Sequence, residues 1–178
     1  MATPDNGAAA VVYSACTATL TVGDGRQVTL TESGNYPFEE QVTFTVNTDA
    51  EVSFPLYLRI PAWCDGASVL VNGRRAAGEC TPGKYVKLAR EWHDGDRVVL
   101  NLPMTLSQRT WQVNQNGVTV DYGPLTLSLK IDEEYRRVDS RATAIRDSKW
   151  QAGADVEKWP SYEIHAASPW NYALVADV

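Results

Sequence analysis

Strict alternation of apolar and polar residues runs through most of the chain and constrains its fold more than any other feature. In "VTFTVN" (42–47), Val42, Phe44 and Val46 share one face, and Thr43 and Thr45 share the other. In "FPLYLRIP" (54–61), Phe54, Leu56, Leu58 and Ile60 alternate with Tyr57 and Arg59. "PLTLSLKI" (124–131) repeats the pattern with Leu125, Leu127, Leu129 and Ile131, which are expected to point inward. Shorter versions are "ATLTV", "RQVTLTE", "ASVLVNG", "KYVKLA", "RVVLNL" and "GVTVDY". A period of two puts successive side chains on opposite sides of a strand, so each run has one dry and one wet face. That is the pattern of antiparallel strands with one face on a core.

The punctuation agrees. "GDG" (23–25), "SGNYP" (33–37), "CDG" (64–66), "NG" (72–73), "PGK" (82–84), "HDG" (93–95) and "NG" (116–117) fall between the runs. Such residues tolerate positive φ or pre-set a turn. Turns at this spacing predict an all-β protein, an antiparallel β-sandwich of jelly-roll or immunoglobulin-like type with little helix. Residues 1–10 read as a flexible N-terminal segment, without the basic and apolar regions of a signal peptide. Residues 11–178 read as the sandwich, with a long irregular segment near 132–160. A net charge of -6 argues against nucleic-acid or anionic-membrane partners, which select clustered cations. No apolar run approaches the roughly 20 residues of a membrane-spanning helix. The cellular compartment is not legible.

The richest chemistry lies in "REWHDGDRVVLNLPM" (90–104), which crowds Arg90, Glu91, Trp92, His93, Asp94 and Asp96 together. An acid–base pair needs two titratable groups aimed at one substrate. Asp-Gly flanked by alternating runs is instead a hairpin signal, with the acids at the tip in water and Trp92 capping the core. The hairpin reading is the stronger. A calcium loop through Asp24, Asp94 and Asp96 lacks the interleaved acidic run and the bidentate Glu. Glu39–Glu40 and Glu133–Glu134 are adjacent pairs, which face opposite ways on a strand. His93 and His165 are the only histidines, and neither sits in a recognisable motif.

The three cysteines, Cys16, Cys64 and Cys80, cannot form a closed disulfide framework and lack the spacing of a zinc knuckle. Cys64 and Cys80 are compatible with a pair, but reduced thiols are expected. Six Trp and eight Tyr outnumber three Phe. Trp and Tyr stack on sugar rings, and they also cap cores and fill interfaces. The candidates for carbohydrate or interdomain contact are Trp111, Trp159, Trp170 and Tyr172, the last two within "SPWNY" (168–172). If the domain normally packs on another, these should form an exposed apolar patch.

"NYPF" (35–38), "LYLRIPAWCDGASVLVNG" (56–73), "GKYVKLAREWHDGDRVVLNLPM" (83–104), "VDYGPLTLSLKI" (120–131) and "SPWNYAL" (168–174) follow one another in this order. Together they resemble the C-terminal β-sandwich region of the glycoside hydrolase family 127 proteins, the β-L-arabinofuranosidase-like family. The resemblance implies a parent glycoside hydrolase whose catalysis belongs to a preceding (α/α)-barrel. There a Glu and cysteines bind zinc, and one cysteine is the nucleophile. Cys16, Cys64 and Cys80 match none of those barrel motifs, so no catalytic or metal residue carries over. The expectation is a non-catalytic accessory domain that needs no cofactor, with zinc confined to the parent's catalytic domain. Its expected partners are that barrel, further copies of the chain in an oligomer, and a plant-type oligosaccharide. A carbohydrate-binding module is the alternative, and an unrelated enzyme using His93, Asp94 or Asp96 is the weakest reading.

Overall fold

A computed structural model describes residues 1–138, 155, 157, 158 and 160–170. The chain divides into two units, Met1–Leu127 and Ser128–Val178. The first holds β1 (Ala8–Ala10), β2 (Cys16–Val22), β3 (Arg26–Ser33), β4 (Gln41–Asn47), β5 (Val52–Arg59), β6 (Ser68–Val71), β7 (Arg74–Arg75), β8 (Tyr85–Trp92), β9 (Arg97–Asn101), β10 (Leu106–Trp111), β11 (Gly117–Tyr122) and β12 (Leu125–Leu127). The second holds β13 (Glu133–Val138) and β14 (Ser161–Ala166). One short 3-10 turn, Gln112–Asn114, is the only helical element among the described residues.

Two sheets make the sandwich. One has the order β2-β3-β4-β9-β6-β7 and the other β1-β5-β8. Their inner faces share one core, built by the alternation read above. Val42 lies opposite Leu100 and Phe44 opposite Val98. Leu56 lies opposite Leu88 and Leu58 opposite Val86 in the other sheet. All eight are buried, and each is worth about 1.5–3 kcal/mol of transfer free energy. Pro61 and Pro103 fall just beyond β5 and β9, where no ladder N–H is needed.

The first ten residues, expected to be flexible, hold β1 and a set of backbone bonds. β1 pairs with β5 in parallel, the one departure from antiparallel pairing in the sandwich. Ala9 N–H donates to Met1 O at 2.7 Å and Gly23 N–H to Asn6 O at 2.7 Å. Ala8 is buried, and a Cβ on Gly7 would collide with the Pro55 carbonyl. Small side chains therefore let this segment lie close against β5.

The β8–β9 connection departs from the hairpin expected. β8 pairs with β5, whereas β9 pairs with β4 and β6. The chain crosses from one sheet to the other at 93–96. Alternation alone is identical for a hairpin and for such a corner, because both need one dry face on each strand.

In unit 1, β10, β11 and β12 form a separate antiparallel sheet. Leu125 is half-buried, and Leu127 and Leu129 are exposed, against the inward placement expected. In unit 2, β13 lies within the stretch expected to be irregular and pairs with β14. Most of 139–160 lies outside the described residues.

Candidate functional site

The crowded segment at 90–97 is held in place by its own reactive side chains. Asp96 is only 7% exposed, not at a solvated tip. It accepts hydrogen bonds from Asn72 Nδ2 at 2.7 Å and from the His93 N–H at 3.0 Å. Arg90 Nη2 lies 3.8 Å from it. Burial alone would raise the Asp96 pKa. The hydrogen bonds from Asn72 and His93, with the charge of Arg90, outweigh it and hold the carboxyl below the usual range. Asp94 accepts from the Thr48 N–H at 3.1 Å and from Asn47 Nδ2 at 3.3 Å. Trp92 is fully buried, donates its indole N–H to Phe54 O at 2.9 Å, and carries the Arg90 guanidinium 5.1 Å from its ring centre.

Asn72 joins two of the sequence motifs. With Gly73 it forms the expected β6–β7 turn, at φ of 51° and 76°. Its Oδ1 accepts the Arg97 N–H at 2.8 Å, while its Nδ2 reaches Asp96. The "VNG" turn and the "WHDGD" corner are thus one hydrogen-bonded unit. A third motif is tied down by Glu40, whose carboxylate accepts the Met104 N–H of "LPM" at 2.8 Å. Glu133 and Glu134 stay exposed, bonded to Tyr135 and Arg136.

Of the four aromatic candidates, Trp159 and Tyr172 lie outside the described residues. Trp170 is 66% exposed. Trp111 is exposed, but Arg109 covers its ring at 4.6 Å and its indole N–H donates to Thr119 Oγ1 at 3.3 Å. Trp111 belongs to the first unit and Trp170 to the second.

All three cysteines are free: Cys16 exposed, Cys64 buried, Cys80 between. Burial pushes the Cys64 thiol up to about 11, helped by the nearby Asp65. Its Sγ faces Pro103 O at 3.7 Å. Zinc needs thiolate, and among the described residues no cysteine joins a cluster of metal-ligating groups. The thiols do not fit the zinc site that the resemblance assigns to the parent.

One cluster does bring metal-ligating groups together: Glu51, Glu91 and His93. Sequence reading noted the last two and missed Glu51. The Val52–Trp92 pairing places Glu51 across from His93 on the outer face of the three-stranded sheet, a register that no motif announces. One imidazole and two carboxylates suit zinc-class ions. All three are exposed, and His93 Nε2 pairs with Glu51 Oε1 at 3.1 Å. As it stands this is an exposed surface cluster joined by the His93–Glu51 contact.

Fold and site together define an all-β sandwich module whose sequence fingerprint is structural. Its affiliation is specific. The sequence model for the "Beta-L-arabinofuranosidase, GH127 middle domain" matches residues 8–104, more than half of the chain. The chain belongs to the GH127 family. That model describes a middle domain, whereas the resemblance led us to expect a C-terminal placement. Solved structures agree on the fold. A GH127 β-L-arabinofuranosidase from Geobacillus stearothermophilus T6 is similar at a TM-score of 0.62 and 22% identity, over 90% of this chain. A glycoside hydrolase is similar at 0.60 and 22%, over 96%. A GH127 β-arabinofuranosidase is similar at 0.56 and 19%, over 75%. This chain spans only 30%, 30% and 26% of their respective lengths. No curated protein sequence matches it.

Proposed function

We propose that the chain is a non-catalytic β-module of a β-L-arabinofuranosidase-like glycoside hydrolase, packing against its parent's helical catalytic barrel and shaping an edge of the substrate cleft. The observation that carries this reading is the placement of Asp94 and Asp96. The acids that looked catalytic receive backbone N–H groups of Thr48 and His93. A carboxylate so engaged holds a corner and is poorly placed to serve a substrate.

The β10–β12 sheet supports the packing role. Its register gathers Leu106, Val118, Val120, Tyr122, Leu125 and Leu127 on one face. Gln108 and Thr110 share that face; the other carries Trp111 among polar residues, with Arg109 Nη2 paired to Asp121 Oδ2 at 2.9 Å. Leu106, Val118 and Leu127 remain exposed, as an apolar interaction face would be without its partner. The test is an assay of the chain on aryl arabinofuranosides, with and without added zinc. No turnover is expected. Zinc-dependent turnover that disappears in Cys64→Ser would overturn the reading.

The exposure of Trp170 favours a second reading, a carbohydrate-binding module. Titration with plant-polysaccharide fragments, followed by Trp fluorescence, separates the two. A saturable shift abolished by Trp170→Ala supports binding through that ring, and an unchanged signal favours scaffolding.

A further inference from the structure

We propose that the cleft between the free edges of β7 and β8 binds the carboxylate of an acidic saccharide, of the uronate class. β7 ends the six-stranded sheet and β8 ends the three-stranded one. No described strand closes the sandwich on that side. The opening is a cleft of about 420 Å³, with Val71 and Leu88 in its wall and Arg74, Arg75, Lys87 and Arg90 around it. That volume lies in the range of small-ligand sites.

Strand parity accounts for the cations. Arg74 lies opposite Val71, and Arg90 opposite Phe54. Val71 and Phe54 are buried in the core, so Arg74 and Arg90 leave from the inner faces of the two edge strands. Arg75 and Lys87 leave from the outer faces, at the margin of the opening. Lys87 pairs with Asp5 at 3.3 Å, and Arg90 approaches Asp96 at 3.8 Å. Neither Arg74 nor Arg75 makes an ion pair with a described residue. The chain as a whole carries a net charge of -6, so a cleft that keeps Arg74 and Arg75 without ion pairs among the described residues, beside the paired Lys87 and Arg90, is a local reversal of sign. A guanidinium presents a planar fork that matches a carboxylate in bidentate fashion. The aliphatic wall of Val71 and Leu88 suits the C–H face of a sugar ring.

Charges on edge strands also block edge-to-edge pairing between molecules, and that role competes with ligand binding as the explanation. The site goes beyond the accessory role and does not require it, since the cleft belongs to the sandwich itself. The test is calorimetric titration of the whole chain with digalacturonate, its neutral galactose counterpart and inorganic phosphate, at one ionic strength. We expect saturable uronate binding at least about tenfold tighter than that of the neutral sugar, a difference of about 1.4 kcal/mol. Arg74→Gln, an exposed edge position, should weaken it by at least about tenfold, consistent with loss of a charge-assisted pair. Arg75→Gln serves as a second variant, with circular dichroism confirming the fold of both. Equal affinity for acidic and neutral sugars overturns the proposal. So do phosphate binding as tight as uronate binding and undiminished uronate binding in both variants. Self-association of Arg74→Gln in a chain that never binds uronate would assign the arginines to edge protection and likewise overturn it.

Discussion

In β4 the apolar residues Val42, Phe44 and Val46 are buried, whereas in the β10–β12 sheet Leu106, Val118 and Leu127 are 67%, 43% and 50% exposed. In both, the register collects aliphatic residues on one face, although in β10 Gln108 and Thr110 share that face and Trp111 lies on the other. The first region has a facing sheet, and the described residues give the second face no comparable cover. Alternation therefore reports that a strand has a face to dry, and not what dries it. The match to the GH127 middle domain ends at Met104, just before β10 begins.

Five substitutions can break or sharpen this contrast. The largest effect is expected for Trp92→Ala. The ring is fully buried against Phe54 and its indole N–H is bonded, so about 3–5 kcal/mol should be lost. Urea denaturation measures it, and a loss below about 1 kcal/mol would show a core looser than described.

Asp96→Ala should cost about 2–3 kcal/mol at neutral pH, because it leaves the Asn72 amide and the His93 N–H without their acceptor. The sign with pH follows from the lowered Asp96 pKa. Such a group stabilises above the carboxyl's unfolded pKa, and the contribution is lost as pH falls through the folded value. The gap between wild type and variant should therefore narrow in acid. A gap that does not change with pH would mean that the negative charge is irrelevant to the corner.

Glu32 titrates in the opposite sense. Burial raises its carboxyl to about 7, against the pull of the Ser14 N–H. The folded chain keeps a proton that the unfolded chain has released, so stability falls as pH rises from the ordinary carboxyl value of 4.5 towards 7. Glu32→Gln should flatten that slope and stabilise the chain at pH 8 by about 1–2 kcal/mol. Thermal melts across this range decide it, and an unchanged slope would place the titration elsewhere.

The smallest effect belongs to the exposed sheet. Val118→Thr and Leu127→Ser should each change stability by no more than about 0.5 kcal/mol in this chain. Losses above about 1 kcal/mol would mean that the face is covered, removing the support it lends to an absent partner.

The sandwich was legible because each local signal agreed with the next. Phe54, Leu56 and Leu58 alternate, and Asn72–Gly73 supplies the positive φ of a tight turn. The corner was not legible. Val86 and Leu88 before it and Val98 and Leu100 after it alternate identically whether β8 and β9 share a sheet or belong to two. The burial of Asp96 followed from that crossing and from Asn72, twenty-four residues away. Glu51 could join His93 only through the β5–β8 register, and Arg74 could face Arg90 only once both strands proved to be edges. The aromatic candidates were chosen by residue type, which does not reveal that Arg109 covers Trp111.

Two of the three Asn-Gly pairs, at 72 and 116, carry a difference in chemical ageing. Asparagine before glycine is prone to deamidation, because the next backbone nitrogen can attack the side-chain carbonyl with little steric hindrance. Asn72 has both ends of its amide engaged, by Arg97 and Asp96. Asn116 lies exposed at φ 59° in the β10–β11 turn, and its side chain makes no hydrogen bond with a described residue. On prolonged storage at mildly alkaline pH, isoaspartate should accumulate at residue 116 before residue 72. Conversion at residue 72 would set a new carboxylate against Asp96, so peptide mapping there doubles as a clock for the sandwich's loss of integrity.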